Sequence, residues 1–571
     1  MSDSNPSISV RSIKFKDRDD EVDFNPDDIV LLVGANNVGK SRILKDLQED
    51  IINNGSSKVI VDSIQYVTTD FTAENTHSYF ERNIPKDDFG NYCVTTNANC
   101  TYCYGSQEFG ENFHNNKTQF YKAFYSLLST ESRLNITRSI RSNQEVNREA
   151  YSIIRKLGKR PEAIAALNRV LTAAFDKSVD VYTDYGESAT VTEFRIGNSQ
   201  EVSDALNLCK SDWLKKVDNL ERLQNQGDGI RGAVGILSSL IVEEHTLFLI
   251  DEPEAFLHPP QAKIIGKSIV EMSRGKQCFI ATHNIDFIKG VIESDSSRVK
   301  IIKVNRAGNK NTFDLVDNQS IAEIAADKNL KYTNILDGLF YGKVLLCEDE
   351  SDCKFYAAML ENTDISKYQD TLFCAVGGKD QLKKVIPLLK RLHIQYLAIA
   401  DIDLLNSKSS LRQLLDAIEP GSYKCISDIH QSFLDAFEKE SYKKVKTQEV
   451  IIAEITSNFA DDLYLSNDAA KRIREILKSA SNLELLKKGG KSVLPQGDCV
   501  KWFDKINEQL KRNGVHIVEC GEIERFVTDV DGHGNNWLKR VFETHPDLEN
   551  DTAYEDAKAF VRKVFSESEQ L

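Results

Sequence analysis

Residues 29–41 constrain the chain more than any other stretch. Ile29–Val33 (IVLLV) is an unbroken apolar run, the pattern of a strand buried in a parallel sheet. Gly34-Ala35-Asn36-Asn37-Val38-Gly39-Lys40-Ser41 follows at once, and Arg42–Ile51 has helical spacing. Strand, G-x-x-x-x-G-K-S loop and helix, in that order, make a phosphate-binding loop. Its glycines let backbone N–H groups close around phosphates, and the helix N-terminus adds positive potential. Lys40 is placed to reach the outer phosphates and Ser41 a magnesium ion. Gly490-Lys491-Ser492 repeats only the letters: Leu485 stands where the first glycine is needed, and no buried strand precedes it.

A second strand-end feature is Leu247–Pro259, LFLIDEPEAFLHP. Leu247–Ile250 runs straight into Asp251 and Glu252, and strand ends are where open α/β sheets bind ligands. One carboxylate can hold a magnesium ion while its neighbour orients a water. Gln277–Thr282 (QCFIAT) is another buried-strand run, ending in His283-Asn284. Between the P-loop and this region, QGDGIRG (226–232) is a glycine-rich turn before a helix, Ala233–Val242. It can offer N–H groups to a phosphate, although a plain loop-to-helix cap reads the same way.

At 571 residues the chain has room for two or more domains with full cores. Its 41% hydrophobic and 28% charged residues are ordinary for a globular protein. No apolar run approaches the ~20 residues that span a bilayer, so no membrane partner is expected. The opening MSDSNPSISV lacks a basic region followed by an apolar core, so no secretory signal is expected either. Eleven thinly spread cysteines fit a reduced, cytoplasmic protein. The net charge of −15 argues against a general polyanion-binding surface. Local basic clusters remain at Lys383-Lys384, Lys390-Arg391, Lys443-Lys444-Lys446 and Lys487-Lys488-Lys491; solvated helix faces are the expected reading.

Cys100-x-x-Cys103 has metal-ligand spacing, and with Cys93 and His114 it offers four ligands for a tetrahedral zinc site. With no second C-x-x-C, unconnected thiols are the expectation. Residues 119–226 are predicted to be mainly helical, with amphipathic stretches at Ala163–Phe175 and Ser203–Gln224.

The pattern restarts in the second half. Val344–Cys347 is a strand ending in Glu348, with Asp349, Glu350 and Asp352 next. Thr371–Val376 runs into Gly377-Gly378-Lys379-Asp380, and Tyr396–Ala400 into Asp401-Ile402-Asp403. Strands alternating with helices predict a second parallel sheet. Carboxylates at two strand ends, including a D-x-D pair on one face, can hold hard divalent cations. Two such ions, ~4 Å apart, can clamp the attacking and leaving oxygens of a phosphodiester displacement. Later, Val515–Cys520 leads into Gly521-Glu522-Ile523-Glu524, and a polar segment holds His533 and Lys539, each a candidate to stabilise developing phosphorane charge.

The first ordered set, Gly34–Ser41, Gly227–Gly232, Asp251-Glu252 and His283, resembles the ABC-type ATPases of the recombination and SMC-like branch. The resemblance implies ATP and Mg²⁺ as cofactors, held by Gly34, Asn36, Asn37, Val38, Gly39, Lys40, Ser41 and Asp251. Glu252 would be the catalytic base and His283 the γ-phosphate switch. It also implies a dimer with ATP between one P-loop and the partner's signature loop, although QGDGIRG departs from the usual serine and two glycines. The second set resembles the TOPRIM domain of topoisomerases, primases and OLD nucleases. Glu348 resembles its glutamate and Asp401/Asp403 its DxD, with Asp349 where glycine is usual. Asp352 resembles the additional acidic ligand of the OLD type, and Glu524, with Glu522 as the second match, its late acidic motif.

An ABC-type ATPase followed by TOPRIM is the OLD arrangement. The expected fold is α/β: an ATPase domain over 1–338 with the 119–226 insertion, then a TOPRIM domain over 339–571. Family resemblance implies an ATP-regulated, Mg²⁺- or Mn²⁺-dependent DNA endonuclease. It implies a homodimer or higher oligomer in a bacterial anti-phage system of the Gabija or retron-associated kind, with a possible second defence component. Glu348, Asp352, Asp401, Asp403 and Glu524 are its expected metal ligands and Lys539 an auxiliary catalytic group. The alternatives are a nucleic-acid or partner sensor with a regulatory TOPRIM site, and a nuclease acting on RNA or tRNA.

Overall fold

The P-loop strand Ile29–Val33 sits inside a six-stranded sheet, with none of its side chains reaching solvent. The computed structural model describes residues 5–53, 58–87, 89–95, 101–106, 108–142, 152–185, 190–206, 217–308, 310–328, 330, 333–441, 447–457, 466–479 and 482–567. The sheet order is Lys310–Val316, Val299–Ala307, Ile29–Val33, Gln277–Thr282, Leu247–Asp251, Tyr125–Leu128. All neighbours run parallel except the edge hairpin Val299–Ala307/Lys310–Val316. Parallel strands covered on both faces read as continuous apolar runs, which is why these segments stood out. The helix Lys40–Asn53 packs Ile43, Leu44 and Leu47 against Val30, Leu32 and Leu249 on one face.

The chain forms two compact units, Met1–Ala325 and Ala326–Leu571. The division falls before the expected 338/339, because the 3-10 segment Ile335–Phe340 packs on the strands of the second sheet. There Ile335, Leu336 and Leu339 are buried.

Residues 119–226 correct the helical expectation. Helix Pro161–Phe175 is present, but Lys177–Tyr185, Thr190–Asn198, Ile140–Ser142 and Glu221–Arg222 form a four-stranded antiparallel sheet. TVTEFRIGN carries β-branched and aromatic residues, and its partner strand alternates as KSVDVYTDY. Their nine-residue register runs from Thr190↔Tyr185 to Asn198↔Lys177. Of the stretch 203–224, residues 203–206 belong to helix Ser199–Leu206, residues 217–218 are helical and Leu223–Asn225 is a 3-10 turn, while residues 207–216 lie outside the described ones.

The second unit is built on four parallel strands in the order Thr371–Ala375, Lys343–Cys347, Tyr396–Asp401, Val515–Val518. Helices Glu350–Glu361 and Glu555–Glu567 pack Phe355, Tyr356, Met359, Val561 and Phe565 with Trp537 and Tyr554 over one face. Its acidic strand ends share one edge of the sheet.

Candidate functional site

In the first unit the P-loop wraps a cavity of about 670 Å³ lined by Asn36, Asn37, Gly39, Lys40, Ser41, Arg42, Glu252, His283 and Arg306. Gly34 and Gly39 have φ of 150° and 105°, and a Cβ at Gly34 would strike the carbonyl oxygen of Val304. Lys40 Nζ donates to the carbonyls of Gly34 and Ala35, each at 2.8 Å, so the loop holds its own cation. Burial pulls the Lys40 ammonium below its usual range, against the pull of Glu252, Glu254 and Asp251. Ser41 Oγ donates to Asp251 Oδ1 at 2.8 Å, closing P-loop and strand end together. Burial pushes the Asp251 carboxyl up. Glu252 is held at φ 46°, a strained conformation for a non-glycine residue, and its Oε1 lies 3.2 Å from His283 Nδ1.

Two residues outside the expected set shape this site. Glu254 is 4% exposed; its Oε1 accepts from Thr282 Oγ1 at 2.7 Å and from His283 N at 3.0 Å. It fixes the backbone that carries His283. Arg133, 1% exposed, donates from Nη1 to the carbonyl of Asp251 at 2.8 Å. No motif marks Arg133; only the fold brings it there. The glycine-rich turn also differs from expectation: the helix starts at Asp228, with Gly227 as its N-cap, so the motif lies inside the first turns. Gly235 on that helix gives the backbone of Arg133 room to approach, and Gly232 lies against its guanidinium side chain.

In the second unit a cavity of about 410 Å³ is lined by Glu348, Asp352, Asp401, Glu524, His533, Lys487 and the Gly377-Gly378 turn, among others. Carboxylate oxygens of Glu348, Asp401 and Asp403 lie within 4.8 Å of one another, as do ligand atoms of Glu522, Glu524 and His533. The Gly377 and Gly378 N–H groups both donate to the Glu348 carbonyl, at 3.1 and 2.9 Å, which seats that carboxylate. Asp349 and Asp352 form a reciprocal cap: Asp349 begins helix Glu350–Glu361, and its N–H donates to Asp352 Oδ2 at 3.1 Å. The residue in place of the usual glycine is therefore a helix cap.

Electrostatics mark this cluster. Burial, then Glu348 and Asp403, push the Asp401 carboxyl up to about 9. Burial likewise raises Asp352 to about 7 against its bond from Asp349, and raises Glu348. Crowded carboxylates in a desolvated pocket hold protons unless a cation joins them. Asp403 Oδ1 and Glu524 Oε2 are buried without a hydrogen-bond partner among the described residues. Orphaned buried oxygens in an all-oxygen donor set fit a hard divalent ion.

Lys539 is not brought to this cavity: it is an exposed residue of helix Gly534–Thr544, 3.8 Å from Glu543. His533 takes that side of the cavity instead, with Nδ1 2.6 Å from Glu524 Oε1. Lys379 of the GGKD turn and Lys487 of the basic cluster expected to be a solvated helix face both reach this cluster: their Nζ atoms lie 2.8 and 3.1 Å from Asp403 Oδ2. Of the other basic clusters, Lys383 bonds Gln413, Lys390 the carbonyl of Ile418 and Lys491 Asp504, while Lys443, Lys444 and Lys446 lie outside the described residues. Of the four candidate zinc ligands, Cys93 and Cys103 converge, Cys100 lies outside the described residues, and His114 is not among the converging ligands.

These two sites define an ATPase unit followed by a TOPRIM unit. A family model described as an AAA domain of a Type IV TA system matches residues 104–288. The model "Overcoming lysogenization defect protein-like, TOPRIM domain" matches 339–403. The Old nuclease of Escherichia phage P2 is 22% identical over 288 residues, 49% of this chain and 43% of that protein. The match thus spans under half of that relative's length. Among solved structures, an Smc head bound to the C-winged helix domain of ScpA overlaps at TM-score 0.33 and 12% identity, over 55% of this chain and 99% of that one. The SMC head domain from Thermotoga maritima overlaps at TM-score 0.28 and 13% identity, over 55% of this chain and 100% of its own. The chain has the ATPase–TOPRIM architecture of the OLD family.

No helix among the described residues is long and apolar enough to cross a membrane.

Proposed function

We propose that this protein is an ATP-regulated, divalent-metal-dependent endonuclease that cleaves DNA and acts in defence against phage. The observation that carries the reading is the convergence of Glu348, Asp401 and Asp403 within 4.8 Å, with Asp403 Oδ1 left without a partner. Similarity to the Old nuclease and to an OLD-like TOPRIM domain supports the nuclease activity, while DNA as substrate and the defence role are what the OLD resemblance implies.

Glu348, Asp401, Asp403, Asp352 and Glu524 would hold Mg²⁺ or Mn²⁺. Bound there, such ions supply an activated water and neutralise charge on the scissile phosphate. The chain's own groups set the stage: the glycine turn seats Glu348, Lys379 and Lys487 hold Asp403, and His533 braces Glu524. In the ATPase unit Glu252 is the base that orients water, His283 reports on its position, and Lys40, Ser41 and Asp251 hold nucleotide and its magnesium. A homodimer built on the ATPase unit would control cleavage.

The test is a cleavage assay on plasmid, linear and single-stranded DNA and on tRNA, with Mg²⁺ or Mn²⁺ and with or without ATP. DNA cleavage that is lost in Asp401→Ala and altered in its ATP response in Glu252→Gln is the expected result. Intact DNA under every condition would falsify the reading, and preferential tRNA cleavage would replace DNA with RNA as substrate.

A further inference from the structure

The hairpin Tyr92–Thr95/Thr101–Tyr104 is too small to stand alone, since two short strands are marginal in water. Its inward face is well anchored. Tyr92, Val94 and Tyr104 are buried in an aromatic cluster with Phe80, Phe109 and Phe120. The Tyr104 and Phe120 rings stack at 5.0 Å, and Tyr92 and Tyr104 both meet Phe80 edge-on. Strand alternation puts Cys93 and Cys103 on the opposite face.

Those two cysteines are direct cross-strand partners, and their Sγ atoms lie 3.4 Å apart. That is far beyond a disulfide bond of about 2.05 Å. It is close to the ~3.8 Å edge that two thiolates make on a tetrahedral zinc with Zn–S bonds of about 2.3 Å. Asp87 brings a carboxylate oxygen to the same point, so that all three ligand atoms lie within 4.8 Å of one another. The turn that carries Asp87 is fixed: Oδ1 accepts from the N–H groups of Phe89 at 3.0 Å and Asn91 at 2.8 Å, and the Asp87 N–H donates to the Asn91 carbonyl at 2.8 Å. The same turn is tied to the hairpin by Cys93 N donating to the Pro85 carbonyl at 2.7 Å.

We propose that Cys93, Cys103 and Asp87 form a structural site for zinc, which staples the hairpin to the 85–91 turn on the face opposite the aromatic cluster. Two thiolates select a borderline-soft ion over Mg²⁺ or Mn²⁺, so the site is chemically distinct from the all-oxygen cluster of the second unit. Zinc content neither requires nor reports nuclease activity, and the proposal stands apart from the proposed function. Removing the ion would loosen the hairpin and leave the P-loop sheet in place.

The experiment uses the full chain purified under reducing conditions. Metal content is measured by mass spectrometry, and the metal-stripped protein is titrated with Co²⁺. The expected result is one zinc per chain and a thiolate-to-cobalt charge-transfer band. Both are lost in Cys93→Ser and in Cys103→Ser and kept in Asp401→Ala, which alters only the other acidic cluster. The cobalt titration of the unaltered chain keeps the test decisive even where a serine variant folds poorly. Reduced protein with no zinc and no cobalt band overturns the proposal, as does a Cys93–Cys103 cystine in the freshly isolated chain.

Discussion

Lys487 Nζ lies 3.1 Å from Asp403 Oδ2, on the same oxygen that Lys379 Nζ approaches at 2.8 Å. Burial opposes the Lys487 charge, but Asp403 and Asp401 outweigh it and hold the ammonium above its usual range. The two lysines thus act as resident cations beside an acidic cluster, and a divalent ion entering that cluster must compete with them. Lys487→Met is expected to tighten Mn²⁺ binding about two- to fivefold, the worth of a partly exposed ion pair. Titration of free Mn²⁺ by paramagnetic resonance, without nucleic acid, reads this directly. Unchanged or weaker binding means the lysine assists the metal and does not rival it.

Glu252 and Glu254 stand two residues apart and are expected to fail differently. Glu252 is partly exposed in the cavity beside His283, so Glu252→Gln should slow ATP hydrolysis by about 10²- to 10³-fold, within the range of general base loss, while nucleotide still binds. Glu254 is buried, and its Oε1 serves the Thr282 hydroxyl and the His283 N–H. Glu254→Ala orphans both donors and should cost roughly 2–4 kcal/mol of stability as well as activity. Paired turnover and urea-unfolding measurements separate them; equal destabilisation by both changes defeats the assignment.

What could be read from sequence was local. The P-loop, the Asp251-Glu252 end, the GGKD turn and the DxD pair each follow a buried strand within a few residues, so strand and chemistry announce each other. Arg133 and Lys487 act across elements far apart in the chain, where no spacing rule reaches. Lys487 stands close because Gly521, at φ 124°, leaves room for the Lys487 backbone, a fact visible only in three dimensions. The sheet at 177–198 follows directly on the amphipathic helix Pro161–Phe175, and its strands find their partners in pairing that helical spacing upstream does not reveal. His533 and Lys539 stand in one polar segment and read alike, yet His533 meets Glu524 while Lys539 lies on the exposed side of helix Gly534–Thr544 near Glu543.

Gly235 separates helix propensity from packing. Alanine is a better helix former than glycine by about 1 kcal/mol, so an exposed site would gain from Gly→Ala. At Gly235 a Cβ would run into the Arg133 carbonyl oxygen, a backbone atom that cannot rotate away. Gly235→Ala should therefore lose roughly 1–3 kcal/mol, the cost of overpacking. Gly227, the cap of the same helix, has φ −61° and open space where a Cβ would stand, so Gly227→Ala should stay within about 0.5 kcal/mol of the parent. Thermal or urea unfolding of the pair tests it; a stabilising Gly235→Ala would show that the helices slide apart freely.

His516 gives the second unit an acid sensitivity of its own. It is 2% exposed on strand Val515–Val518, its Nε2 has no hydrogen-bond partner, and Nδ1 is 3.7 Å from Glu567 Oε2. Burial lowers its pKa to about 4, with Glu567 opposing and Lys511 and Lys563 assisting. The unfolded ring takes a proton below about pH 6.5, whereas the folded ring stays neutral until about 4. The unfolded state then binds more protons, so stability is whole above pH 6.5 and declines as pH falls toward 4, by about 2 kcal/mol at pH 5. His516→Leu cannot titrate. Its loss of unfolding free energy between pH 7 and pH 5 should be smaller than the parent's by that amount, since every other carboxylate and histidine is common to both proteins. Equal pH sensitivity in urea unfolding would place the acid response in other groups.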